Sequence, residues 1–542
     1  MVSDRTVLPA DGAGWNDLRA RFRWQIPTRF NIAERCCDSW AESEPDRLAV
    51  IDVAADGTAR EWRYIDLYRA ANRLARVLQA RGVTAGDRVA ILLPQGPDVL
   101  IAHFAAYKLG AIALPLFTLF GEDALRFRLE DSGAAAIITD PANLPKVEAL
   151  TAVLPGVSTI GVTGAAQTPF LDLPVETARA SDSPIRAETG PDDPAVMIYT
   201  SGTTGSPKGA LHAHRFLLGH LPSIELHHEG FPSPGDRGWT PADWAWIGGL
   251  MDMALPCLHY GVPLVSHRAA KFDPDEAYAL IARHAVRNLF LPPTALRLMR
   301  QASVPAGVDI RSIGSGGESL GPELLDWGET ALGLKINEFY GQTECNLVVS
   351  TSRGIEDTPP GAMGRAVPGH DVAVIDADGE PAPAGESGEI AVRRGTPVMF
   401  LRYWNQPEKT EEKFTGEWMR TGDLGTCDEG GTFRFVARDD DVITSSGYRI
   451  GPTEIESCLA GHPQVVMAAA VGLPDPVRTE VVTAFVVFRD GADPAALEKE
   501  LIDRVRTRIS PHVAPRRIVP VPSLPMTATG KIMRRTLRER GA

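Results

Sequence analysis

Short apolar runs alternate with segments whose apolar side chains recur at helical spacing, and this alternation continues to about residue 436. VAILLP at 89–94 reads as a buried strand, and DVLIAHFAAYKLG places Val99, Leu100, His103, Phe104 and Tyr107 on a helix. AIALPLF at 111–117 returns to strand, and AAAIITD at 134–140, AVMIYT at 195–200 and RNLFLPP at 287–293 repeat the strand pattern. Strand, helix, strand predicts a parallel sheet covered by helices. The last hundred or so residues differ. VVMAAAVGLPD at 465–475 and VVTAFVVF at 481–488 read as strands, PAALEKELIDRVRTRIS at 494–510 as an amphipathic helix, and RRIVPVPSLP at 516–525 as a further extended run. Between the two parts, RDDDVITSSGYRI at 438–450 suits an exposed connector. The expected fold class is therefore α/β, with a large domain of helix-covered β-sheets over 1–439 and a small α+β domain over 440–542.

Composition narrows the function classes. Lys and Arg total 55 against 69 Asp and Glu, a net charge of −14, which argues against nonspecific binding to nucleic acid or an anionic membrane. Cys36, Cys37, Cys257, Cys345, Cys427 and Cys458 show no C-x-x-C spacing and no matching His cluster, which disfavours a disulfide scaffold or structural zinc. The first residues lack the apolar core of a secretory signal, and no apolar run approaches the ~18 residues of a membrane span. A reduced, cytoplasmic, soluble protein is expected.

The chemistry is concentrated in a few short segments. In YTSGTTGSPKG at 199–209, glycines let backbone N–H groups turn toward an anion. Thr200, Ser201, Gly202, Thr203 and Thr204 supply donors and Lys208 a positive charge, an inventory suited to a polyphosphate. The strand AVMIY precedes this loop, and LHAHRFLLGH reads as a helix following it. Gly-Lys-Ser/Thr is absent, so this is not a Walker A loop. FYGQTE at 339–344 offers the Thr343 hydroxyl and the Glu344 carboxylate in an apolar setting, where a buried Glu needs a partner such as Mg²⁺. TGDLG at 421–425 sets Asp423 between glycines, as in a tight turn. A lysine such as Lys531, in MTATGK, is by itself usually a solvated surface charge.

Together these segments resemble the signatures of the adenylate-forming superfamily, and most closely its medium- and short-chain acyl-CoA synthetases. TSGTTGSPKG, GSGGESL at 314–320, FYGQTE, TGDLG, RDDDVITSSGYRIGPTEIE at 438–456 and TATGKIMRR at 527–535 occur in the family's order and spacing. The resemblance spans nearly the whole chain. It implies ATP-dependent activation of a carboxylic acid to acyl-AMP, then thioesterification to CoA, with ATP, Mg²⁺ and CoA required. It implies that Lys531 bridges the acid and the α-phosphate, that Thr200 and Thr343 meet phosphate oxygens, and that Glu344 holds the metal. Gly317, Glu318 and Ser319 would line the adenine site, Tyr340, Gly341 and Gln342 would border the nucleotide, and Asp423 with Arg438 would bind the ribose. Asp440 would be the pivot of a mobile C-terminal domain. Ser446, Gly447, Arg449 and Arg506 would meet CoA.

The resemblance also brings a homo-oligomer and a lysine acetyltransferase acting on Lys531 into the set of expected partners, although MTATGK lacks the basic residues that many relatives carry there. For the acyl pocket it implies Trp246, Ile247 and Gly248 of WAWIGG, with Gly316 and Gly341. Acetate-restricted relatives carry Val and Trp at the last two positions. Glycine at both predicts a pocket that admits propionate through medium-chain acids, branched or aromatic acids included, each buried methylene being worth ~0.8 kcal/mol. A stand-alone adenylation enzyme loading a carrier-protein phosphopantetheine and an aromatic acid–CoA ligase are the alternatives, and a noncatalytic homologue would be expected to have lost Lys531 or Glu344.

Overall fold

The computed structural model describes residues 5–9, 14–200, 207–269, 271–318, 320–438, 441–445, 448–475, 479–527 and 531–541. Three sheets organise them. The first runs, edge to edge, Arg402–Tyr403, β2 (Lys208–Ala213 below), β1 (Pro194–Thr200), Ile112–Pro115, Arg88–Leu92, Ala136–Thr139, Thr159–Val162 and Leu171–Asp172. The strands from Leu171–Asp172 to β1 pair in parallel. The helix Pro97–Lys108 crosses between two of them. Proline near its start fits the first turn, where a missing N–H costs nothing, and apolar residues on every side bury it on all faces but that of Asp98.

β2 (Lys208–Ala213) departs from expectation. LHAH does not open the helix but completes a strand antiparallel to β1, with Met197 opposite Leu211 and Thr200 opposite Lys208. Every residue of β2 after Lys208 is buried, and burial on both faces favours the extended form. Helix α1 begins only at Phe216 and runs to His227. The Ser/Thr/Gly segment thus joins two strands of a hairpin.

The second sheet is mixed. From Leu48–Val53 it proceeds through Leu264–His267, Gly238–Trp239 and Asn288–Phe290 to β3 (Ser312–Gly316) and β4 (Asn337–Gln342), all parallel. At β4 it turns antiparallel. β5 (Cys345–Ser350) pairs with β4, and further on β6 (Trp418–Cys427) pairs with β7 (Thr432–Arg438). The third sheet contains β8 (Ile443–Ser445), β9 (Tyr448–Ile450), β10 (Val465–Asp475), β11 (Thr479–Phe488) and Arg517–Pro520. The segment read as a connector therefore already holds the β8–β9 hairpin.

Sheet membership changes between Arg438 and Ile443, and the cores change with it. The hydrophobic clusters of the third sheet, which gather α2 (Pro494–Arg508) and Leu537 of α3 (Arg534–Gly541), have no member before Ile443. Among the described residues no helix is long and apolar enough to cross a membrane.

Candidate functional site

FYGQTE forms the tip of the β4–β5 hairpin. Gln342 pairs with Cys345, which leaves Thr343 and Glu344 as the two turn residues. Glu344 is buried, and Phe400 N donates to its carbonyl at 2.8 Å. The phenol of Tyr403 donates to its Oε1. Burial and the Glu344 carboxylate together push the Tyr403 phenol well above its ordinary value, so Tyr403 keeps its proton as donor. Lys208 sits over the Tyr403 ring at 4.7 Å. Its ammonium is pushed down by burial and pulled back by Glu344.

Asp423 lies in strand β6 rather than in a tight turn, directly opposite Arg438 of β7. Gly422 takes φ +77°, a local kink that glycine permits inside the strand. Asp423 is buried, and its Oδ2 accepts from Tyr340 Oη at 2.6 Å and Gln342 Nε2 at 2.7 Å. Arg438 Nε lies 3.7 Å from its Oδ1. Gln342 also donates to Thr421 O at 2.7 Å, and Lys413 Nζ reaches Gln342 Oε1 at 3.4 Å. Strands β4 and β7 thus hold this carboxylate of β6 from two sides.

Lys531 comes from the other unit. Protein on most sides of an open cleft strips part of its water and pushes the ammonium down, and Arg438 adds to this. Asp423, Glu318 and Glu344 act in the opposite sense. Charges from β6, β7, the β3 end and the β4–β5 turn therefore act on one exposed lysine of the C-terminal unit. Glu318 is held by Arg297 at 3.2 Å. Behind Lys531, Arg534 of α3 pairs with Glu456 at 2.8 Å and with Asp441 at 3.2 Å, and Arg538 meets Asp441 at 2.9 Å.

The acyl candidates also converge. Trp246 is half-buried against Gly317, whereas Trp244 is plain core. Ile247 and Gly248 follow in a short helix, and a Cβ on Gly248 would lie 2.9 Å from Phe290. The room expected from the other two glycines is already filled. A Cβ on Gly316 would collide with the Phe339 ring and lie 2.8 Å from its carbonyl oxygen, and one on Gly341 would lie 2.7 Å from Asn346 Cα in strand β5. Both glycines serve close packing. What remains is aromatic, with Trp246 and Phe290 centroids 5.7 Å apart and Phe290 and Phe339 5.5 Å apart.

Ser201, Gly202, Thr203, Thr204, Ser319, Asp440, Ser446 and Gly447 lie outside the described residues, as does the Arg449 side chain. Thr200 stands opposite Lys208 where β1 ends. Arg506 pairs with Asp503 on α2 and meets none of the groups above. Sequence reasoning missed Tyr403, Lys413 and Arg297, which belong to no short motif, and Phe290, which reads as ordinary strand core.

The AMP-binding enzyme family pattern matches residues 37–404, and the pattern of the AMP-binding enzyme C-terminal domain matches residues 454–531. The chain belongs to the AMP-binding enzymes. It is 34% identical to the human mitochondrial acyl-coenzyme A synthetase ACSM4, over 95% of this chain and 91% of that one. An acyl-CoA synthetase from Brucella canis superposes with a TM-score of 0.75 at 34% identity, covering 97% of this chain and 98% of that one. MatB from Rhodopseudomonas palustris is 30% identical in both its solved states, each comparison covering 94% of this chain and 98% of MatB, yet the TM-score is 0.82 for the ATP-bound form and 0.75 for the apo form. This AMP-binding enzyme is a ligase of acyl-CoA synthetase type. It activates an acid with ATP as acyl-AMP and passes the acyl group to CoA.

The expectation about partners is corrected. Lys531 is under the charges of Asp423, Glu318 and Glu344, and nothing supports an acetyltransferase acting on it. The described residues also hold no group of three or more His, Cys, Asp or Glu able to seat a metal ion. Glu344 is a single carboxylate with Tyr403 on one oxygen, not part of a metal cage.

Proposed function

We propose that the acid is apolar, from short- and medium-chain alkyl to aryl, and that both half-reactions use the one cleft. The observation that carries this reading is that the charges of Asp423, Glu318 and Glu344 in one unit act on the Lys531 cation of the other. In the first half-reaction the acid's carboxylate attacks the α-phosphorus of ATP, and the bond to pyrophosphate breaks. Lys531, with the Thr200 and Thr343 hydroxyls, meets the charge that grows on the α-phosphate oxygens. Ser201, Gly202, Thr203, Thr204 and Lys208 cradle the outer phosphates. Glu344 suits a Mg²⁺ ion that draws its other oxygens from phosphate and water, and such an ion would neutralise charge on the departing pyrophosphate.

Asp423 accepts from the ribose hydroxyls, with Tyr340 and Gln342 fixing its orientation and Arg438 alongside. Gly317, Glu318 and Ser319 border the adenine, with Gly341 beneath the nucleotide. The aromatic wall of Trp246, Phe290 and Phe339, with Ile247 and Gly248, takes the acid's tail. In the second half-reaction the CoA thiolate attacks the acyl carbon and AMP leaves. That step needs a different face of residues 440–542, turned about Asp440 against 1–439, so that Ser446, Gly447, Arg449 and Arg506 approach CoA. The higher score against ATP-bound than apo MatB supports the present arrangement as that of the first step. Six free cysteines support a reducing compartment, as in the cytoplasm.

Pyrophosphate release with ATP and Mg²⁺, across acids from acetate to decanoate plus benzoate, with and without CoA, tests this reading. CoA-dependent turnover that peaks beyond acetate and collapses in Lys531→Ala is the expected result. A peak at acetate would overturn the apolar-acid assignment, and a CoA-independent burst without turnover would overturn CoA as acceptor.

A further inference from the structure

A cavity of about 620 Å³ opens between the N-terminal segment and helix α1, on residues that none of the roles above involve. Its lining mixes two chemistries. Phe22 and Trp24 join Leu218 and Leu221 of α1 as apolar wall, and Arg5 and Arg35 bring guanidinium groups. Arg5 is only 8% exposed. It donates to neutral acceptors, namely the Arg35 carbonyl at 2.8 Å, the His259 carbonyl at 2.7 Å and the Ser39 hydroxyl at 2.7 Å, and it stacks on Trp40 at 4.0 Å. Among the described residues no carboxylate forms an ion pair with Arg5 or Arg35. Glu34, also in the lining, is exposed and pairs with neither. His259 leaves its Nδ1 without a partner.

Buried cations ordinarily stand beside an anion. Here burial and the neighbouring Arg35 push Arg5 down to about 10, and burial pushes Arg35 down as well. The pair raises the cost of its own charge, and among the described residues no carboxylate pairs with it to offset that cost. The volume falls in the range of small-molecule sites, which combine apolar walls with a few fixed polar groups.

We propose that this cavity is a second binding site for an organic anion, its carboxylate or phosphate head set against Arg5 and Arg35 and its apolar body against Leu218, Leu221 and the rings of Phe22 and Trp24. The guanidinium forks suit either head through paired N–H donors. The site is separate from the cleft that holds Lys531, so its occupancy does not require an adenylate.

The test is calorimetric titration of the full chain with its cleft blocked by a nonhydrolysable acyl-sulfamoyl adenosine. Octyl phosphate and octanoate form two arms that distinguish a phosphate from a carboxylate head, and octyl glucoside is the neutral control. Saturable binding of at least one octyl anion is expected, weakened about tenfold or more in Arg35→Gln and regained in part in Arg35→Lys, with acyl-CoA formation by Arg35→Gln unchanged. If Arg35→Gln melts early, Arg23→Gln serves instead, since Arg23 also lines the cavity but is exposed and holds only carbonyls of its own neighbourhood; a loss of a few fold is expected there. No saturable binding of either anion, equal binding after the substitution, or octyl glucoside binding as tightly as octyl phosphate would each overturn the proposal.

Discussion

The two walls of the cleft are held by different means. Asp423 sits in a sheet strand, bonded to Tyr340 and Gln342 and opposite Arg438, and the strands around it share the large N-terminal core through Phe339, Met419 and Phe433. Lys531 is bonded locally to Thr527, with Thr527 N to Lys531 O at 2.8 Å and Lys531 N to Thr527 Oγ1 at 3.1 Å, on a unit with cores of its own. The difference teaches how a two-step enzyme divides its parts. In the proposed mechanism, the groups that hold the nucleotide throughout are the ones built into a sheet, and the group needed for one step is carried on the unit proposed to turn.

Removing the movable charge breaks the comparison most sharply. Lys531→Ala is expected to slow acyl-AMP formation on the order of 10²–10³-fold, while conversion of supplied acyl-AMP with CoA survives; single-turnover assays of each half-reaction separate the two. The same lysine sets a pH limit. Its pKa lies below the ordinary 10.5, and the cation is the active form, so acyl-AMP formation should fall on an alkaline limb centred below 10.5. Lys531→Arg, slower but charged at every accessible pH, should lack that limb, which a pH–rate profile of pyrophosphate release checks.

On the fixed wall the loss should divide between binding and fold. Asp423→Asn is expected to raise KM for ATP by roughly tenfold and to lower the melting temperature, because the Tyr340 and Gln342 donors lose a charged acceptor. Phe339→Leu, in the tail wall, should shift the preference in kcat/KM a few fold toward bulkier acids, an acid-panel measurement. The smallest effect is expected from Arg506→Ala. Its exposed pair with Asp503 is worth about 0.2–1 kcal/mol at most, so only KM for CoA should move, by a few fold, with thermal stability nearly unchanged.

Much of this was legible in the sequence because it is local. The strand runs at 89–94, 111–117 and 134–140 become parallel neighbours, since an apolar run in the right length range has few other places to go. The pairing of Asp423 with Arg438 was readable as a shared role, but not as a strand register, since Gly422 and Gly425 imitate turn chemistry. LHAH looked like the start of a helix because the apolar segment after it is one; only long-range pairing with β1 makes it a strand. The pocket misled in a more instructive way. Glycine at 316 and 341 signals missing side chains, but the sequence does not say what moves into the space, and Phe339 and strand β5 do. Tyr403 on Glu344 was out of reach altogether, a contact across 59 positions with no motif around it.

The bonds of Arg534 and Arg538 tie the last helix to Asp441, the first described residue after the junction, and to Glu456 of the helix Pro452–Ala460. The helix that follows Lys531 is thus fastened at two of its arginines. In the turn proposed for residues 440–542, this clamp would make the C-terminal unit move as a stiff crank that carries Lys531 with it. Loosening the clamp, rather than the pivot, would let the crank slip, so that turning no longer delivers the charge.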